Sequence, residues 1–163
     1  KLKVKDKVYT STVNCVHDAE NKNLSLEDRK LVYAKAMELQ GLYNKVNNSI
    51  DTINYYQALL KTDSVAYSKR KHAIAFNDDL QKVKAELMGV TKTSIFADEK
   101  RVREKVSELY GTFCWMEAAP NTTQLDAITD LKKEYDDQNE ALKKTIAKHL
   151  PKNPEIKVKK GVE

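Results

Sequence analysis

The chain is poor in the residues that break regular structure, with four Gly and three Pro among 163 residues. So few breakers leave room for long elements. A charged share of 33% beside an apolar share of 40% then points to helices with one wet and one dry side. Long apolar runs are also missing. None approaches the roughly 20 residues that cross a bilayer, which excludes a membrane-spanning helix. Cysteine is scarce, and Cys15 and Cys114 fit no CxxC or metal-ligand spacing. They read first as two buried thiols, with a disulfide between them as the alternative in an exported chain. Histidine is equally sparse. His17, His72 and His149 are scattered, and none sits in the Glu-x-x-His pair that builds di-metal centres in helical bundles. Neither a metal nor a cofactor is expected, and no Gly-rich loop for phosphate is present.

Nucleic acid is excluded as a partner by where the charge lies. The net charge is +5, yet residues 1–7 hold four Lys and one Asp, and residues 151–163 hold four Lys and two Glu. The 21 basic and 21 acidic residues between them cancel. Phosphate binding needs Lys and Arg gathered on one face, whereas this excess sits on two termini. The chain opens on Lys1 rather than Met, so a fragment or a processed chain is expected.

The first stretch is unlike the rest. In "LKVKDKVYTSTVNCVHD" apolar and polar residues alternate, with Leu2 and Val4 on one face and Tyr9, Ser11, Val13 and Cys15 on one face. A Lys-Asp-Lys turn at 5–7 divides it into two short strands of a hairpin. A lone hairpin is marginal in water. Residues 1–20 are therefore expected to be the trailing edge of an upstream β domain.

Residues 21–150 read as a bundle of four helices. Ser25 opens the first as N-cap, with Asp28 three residues on. Val32, Leu39, Val46, Ile53 and Leu60 then recur every seven residues, with Ala36, Tyr43, Ile50 and Gln57 as a second row. The second helix is expected from Asp63-Ser64 to Gly89, with the stripe Ala73, Phe76, Leu80, Val83 and Leu87. A third, capped by Asp98, carries Val102, Val106, Leu109, Phe113 and Met116. The fourth starts after Pro120, with Asn121 or Thr122 as cap. It carries Ile128, Leu131, Tyr135, Gln138, Leu142 and Ile146 to about His149, where Pro151 and Pro154 end it. The fold class is thus mainly α, an antiparallel up-down four-helix bundle preceded by a short β-hairpin. Residues 151–163 read as an extended basic tail.

Candidate chemistry is thin. Cys114 has no His near it in sequence to act as its base. Asp78-Asp79 and Asp136-Asp137 are neighbours on helices, so their carboxylates diverge by about 100°. His149 suits a helix C-terminus, where the dipole favours a cation. The Tyr residues read as rings packed at stripe edges with wet hydroxyls, and a carbohydrate-binding surface is the alternative. Trp115 reads as a packing residue near the Ala118-Ala119-Pro120 corner. With Tyr55 and Tyr56 it is also a candidate for contact with a neighbouring domain or partner.

The order of these features carries a resemblance. "KVKDKVYTSTVNCVHDAEN" runs into "SLEDRKLVYAKAMELQGLYNKVNNSIDTIN", and "VREKVSELYGTFCWMEAAPNTTQLDAITDLKKEYDDQNEALKKTI" follows. This resembles the C-terminal region of large bacterial proteins with sortilin-like or sialidase-like (BNR-repeat) β-propellers, a group assigned to the glycosyl hydrolases. The matching positions are Val4 to Tyr9, Asp18 and the turn from Ala118 to Gln124. Lys5-Asp6-Lys7 replaces the usual Gly-containing turn. The resemblance implies a non-catalytic module of an exported protein, packed on upstream domains of the same chain or on a protein partner. Any catalytic residues would then lie in the propeller. A self-standing bundle that dimerises or binds a helical partner is the alternative, and an enzyme using Cys114 is a third reading.

Overall fold

The computed structural model describes residues 1–14, 16, 24–62, 70–89, 100–154 and 156. The expectations for Cys15, His17, Asp18, the helix start at Asp63-Ser64, Asp98 and residues 157–163 lie outside these. Strand β1 (Leu2–Val4) pairs antiparallel with β2 (Lys7–Tyr9) in the register Leu2↔Tyr9, Lys3↔Val8 and Val4↔Lys7. That register leaves Lys5 and Asp6 as the turn, and Lys5 takes a positive φ of 53°. Positive φ in the first central position alone is the type II′ pattern, which usually takes Gly there.

Four helices follow among the described residues: α1 (Leu26–Lys61), α2 (Lys71–Leu87), α3 (Val102–Cys114) and α4 (Thr122–His149). The chain is therefore mainly α, a helical bundle preceded by a β-hairpin, as its pattern predicts. Ser25 caps α1 through a reciprocal box. Its Oγ accepts from the Asp28 N–H at 3.1 Å, and Asp28 Oδ2 accepts from the Ser25 N–H at 3.2 Å. Asn121, rather than Thr122, caps α4 in the same way. Its Oδ1 accepts from the Gln124 N–H at 2.9 Å, and Gln124 Oε1 accepts from the Asn121 N–H at 3.0 Å.

α2 begins at Lys71, after Arg70, which is extended at φ −98° and ψ 91°. α3 begins at Val102, with Arg101 as its N-cap residue. Glu104 supplies what a cap residue would. Its Oε2 accepts from the Arg101 N–H at 3.2 Å and from the Gly89 N–H at 2.9 Å. One carboxylate thus joins the end of α2 to the start of α3, and Arg101 adds an ion pair to Glu86 at 2.9 Å.

The direction of each helix follows from its partners. Asn54 of α1 accepts from Lys84, and Gln57 donates to Asn77 and Gln81, so α2 runs back against the second half of α1. Lys105 of α3 pairs with Glu134 of α4. Glu38 pairs with Lys132, and Ser49 meets Tyr135, so α4 runs alongside α1 in the same sense. Contact between α2 and α3 is slight, while both pack on α1 and α4. They therefore follow one another along α1, which is about 54 Å long at 1.5 Å per residue. Four helices make three columns.

The core is continuous along those columns. Leu39, Val46, Ile53 and Leu60 of the α1 seam are buried, as are all five stripe residues of α2. Val102, Val106 and Phe113 of α3 and Ile128, Leu131, Tyr135, Leu142 and Ile146 of α4 complete it. Directly after α4 the described residues turn. Residues Leu150–Lys152 form a 3-10 turn, Asn153 Nδ2 donates to the His149 carbonyl at 2.9 Å, and Ile156 is buried in the core. The expected extended tail thus begins with a turn, because Ile156 has apolar area to bury.

Candidate interaction surface

The hairpin is exposed at every residue of both strands. Side chains alternate across a strand, and the register places Leu2, Val4 and Tyr9 on one face with Lys7. Lys3 projects from the opposite side, with Val8, and Lys1 alternates onto that side two residues before it. The result is a ribbon with an uncovered apolar face, where Leu2 is 63% exposed, and a basic face behind it.

A second uncovered surface lies on α1. Leu26, Tyr33 and Met37 are separated by seven and four residues and so share one side of the helix. All three are exposed, Tyr33 by 67%. That side is about half a turn from Leu39 and Val46, which face the core. Met37 also borders a cavity of about 410 Å³ between α1 and α4, with Gly41 and Leu42 beside it and Lys45, Lys132 and Asp136 at its rim. Within it, Glu38 is held by Lys132 and Lys35, which keep its carboxyl below the ordinary value. A shallower groove of about 560 Å³ runs between α3 and α4 over Leu109, Ala127 and Leu131.

The candidate contact residues from the sequence separate. Trp115 is 87% exposed, so it is not a packing residue and is free to meet a partner. It sits two residues beyond Phe113, about 200° around the helix from the core stripe, which turns it outward. Tyr56 is fully buried. Its ring lies 5.8 Å from Phe76 and 5.4 Å from Tyr55, so it builds core and cannot form an outer contact. Tyr55 is half-buried beside it. Cys114 is an exposed free thiol rather than a buried one. Its hydrogen bond with Tyr110 pushes that phenol above its ordinary value.

One polar cluster was not foreseen. His149, only 4% exposed, stacks on Phe76 with centroids 5.1 Å apart and planes 9° from parallel. Its Nε2–H donates to Asp79 Oδ2 at 2.8 Å, and the buried Nδ1 meets no partner. The His149 bond chiefly, then Lys148 and Lys82, hold the Asp79 carboxyl well below the usual carboxylate range. The signal for this burial was present in the sequence, since His149 continues the α4 stripe three residues after Ile146. The pair looks like the base and orienter of a catalytic triad, but its Nδ1 is buried and meets no partner among the described residues. It acts as a tie between α2 and α4. Asp78, Asp136 and Asp137 are exposed, and the two adjacent Asp pairs do not converge.

No helix among the described residues is long and apolar enough to cross a membrane, and no group of His, Cys, Asp or Glu among them could hold a metal. No family model, curated protein or solved structure matches the chain.

Proposed function

We propose that the chain is a non-catalytic helical module for domain packing or protein interaction, with the hairpin as its working surface. The observation that carries this reading is the ribbon itself, whose apolar residues Leu2, Val4, Val8 and Tyr9 are all exposed. Two strands without a covered face are marginal in water. A surface of that kind is stabilised when something else covers it. The bundle itself has a continuous core.

The resemblance to propeller proteins extends the proposal. On it, the module ends a large exported bacterial chain with BNR-repeat or sortilin-like propellers, assigned to the glycosyl hydrolases, and the ribbon packs on the preceding domain. A second reading, a self-standing bundle that dimerises or binds a helical partner, is favoured by the exposed row Leu26, Tyr33 and Met37.

The test of the non-catalytic role is an assay of the full chain against glycosidic and peptide substrates, with no turnover expected. Turnover that disappears when one polar residue is substituted would overturn it. Sedimentation separates the second reading, which requires association that weakens in Tyr33→Ser/Met37→Ser.

A further inference from the structure

We propose that β1 is a strand-addition site for an edge strand of a partner protein that alternates acidic and apolar residues; this rests on reading the chain as an interaction module. The hairpin has a two-residue turn and the register Val4↔Lys7. In such a hairpin the pair flanking the turn exchanges both of its hydrogen bonds, and pairs alternate from there. Val4 and Leu2 therefore use their backbone groups on β2. The N–H and C=O of Lys3 point outward along the free edge of β1.

An incoming strand pairs with that edge, and its side chains alternate in step with those of β1. Its residues on one face stand beside Lys1 and Lys3. Those on the other stand beside Leu2 and Val4. Acidic residues satisfy the first face and apolar residues the second. The lysines also decide against a second copy, because β1 paired with β1 brings like charges together. An anionic lipid surface fits less well. Burying Leu2, Val4 and Tyr9 in it turns Lys1 and Lys3 of the opposite face away from the headgroups. Strand addition gives affinity through the backbone and selectivity through alternate side chains.

The experiment uses the full chain, isotope-labelled, and three capped seven-residue peptides. One alternates Glu and Val, one has the same composition in two blocks, and one alternates Lys and Val. The readout is exchange of the Lys3 N–H with solvent. The Glu/Val alternating peptide should slow it by about tenfold or more at saturation. Its midpoint should rise several-fold between about 50 mM and about 500 mM salt. Lys3→Glu lies outside the core and should shift the preference to the Lys/Val peptide. Equal effects of the alternating and block peptides, or of the Glu and Lys peptides, would overturn the proposal. So would protection that grows with the concentration of the chain alone, which would assign the edge to a second copy. A chain that turns over no substrate and ignores all three peptides would refute strand addition alone and leave the packing role standing.

Discussion

His149, at the last position of α4, and Asp79, on α2, are joined by a 2.8 Å hydrogen bond that closes one end of the bundle. The imidazole also covers Phe76, and its own backbone carbonyl accepts from Asn153. One residue therefore ties two columns and the terminal turn together. His149→Ala removes the stack and the bond and leaves a cavity. It should lower stability by about 2–4 kcal/mol in urea unfolding. Asp79→Asn keeps an acceptor for the Nε2–H and should cost less than Asp79→Ala.

The same pair sets an acid dependence. The folded-state pKa of Asp79 is depressed, so its contribution is present above the unfolded carboxylate value of about 4. It is lost as pH falls from there toward the folded value. Compared with Asp79→Asn, the native chain should lose its advantage progressively between about pH 5 and the acid limit. Urea midpoints measured across that range check this. A gap that stays constant down to about pH 2 would count against the linkage.

Asn121→Ala should destabilise the chain by about 1 kcal/mol through loss of the α4 cap, and Gln124→Ala by less. Thr122→Ala should be nearly silent, because Thr122 is already the first helical residue. Thermal melts of the three variants distinguish the assignments. A larger effect at Thr122 than at Asn121 would reverse them.

Two aromatic residues at the end of α3 should respond in opposite ways. Phe113 is 1% exposed, and Phe113→Ala should cost about 3–5 kcal/mol. Trp115→Ala should change stability by less than about 0.5 kcal/mol. As the only Trp in the chain, Trp115 should also fluoresce as a hydrated indole and quench freely with acrylamide. Emission shifted to the blue in the isolated chain would show it covered.

The turn of the ribbon carries local strain. Lys5 pays for its left-handed backbone by roughly 1–2 kcal/mol relative to a right-handed one. Lys5→Gly removes that strain and should raise the hairpin population seen in amide exchange of Val4 and Lys7, whose N–H groups are bonded across the ribbon. Unchanged or faster exchange would mean that the turn does not limit the ribbon.

Periodicity made much of this fold legible. The five α2 stripe residues are the five that are buried, and the Ser25 and Asn121 boxes were visible as Ser-x-x-Asp and Asn-x-x-Gln. What it could not supply was the number of neighbours each helix has. Leu42, Ser49 and Tyr56 flank the α1 seam and are buried because α1 is covered by α4 on one side and by α2 and α3 on another. A seam two residues wide describes one partner, not two columns. Apolarity alone likewise misplaced Cys114 and Trp115, which rotate off the stripe past Phe113 and face water. The Asp79–His149 tie joins residues 70 apart on different helices, a pairing that only packing reveals.

Hydrogen exchange on the full chain alone tests the central claim most directly. An uncovered ribbon should exchange its Lys3 and Val8 amides close to the rate of an unstructured peptide, while Leu39, Val46 and Ile53 of α1 remain protected by orders of magnitude. Ribbon amides as protected as those of α1 would mean that the chain already covers its own hairpin. It would then have no open surface there for a partner.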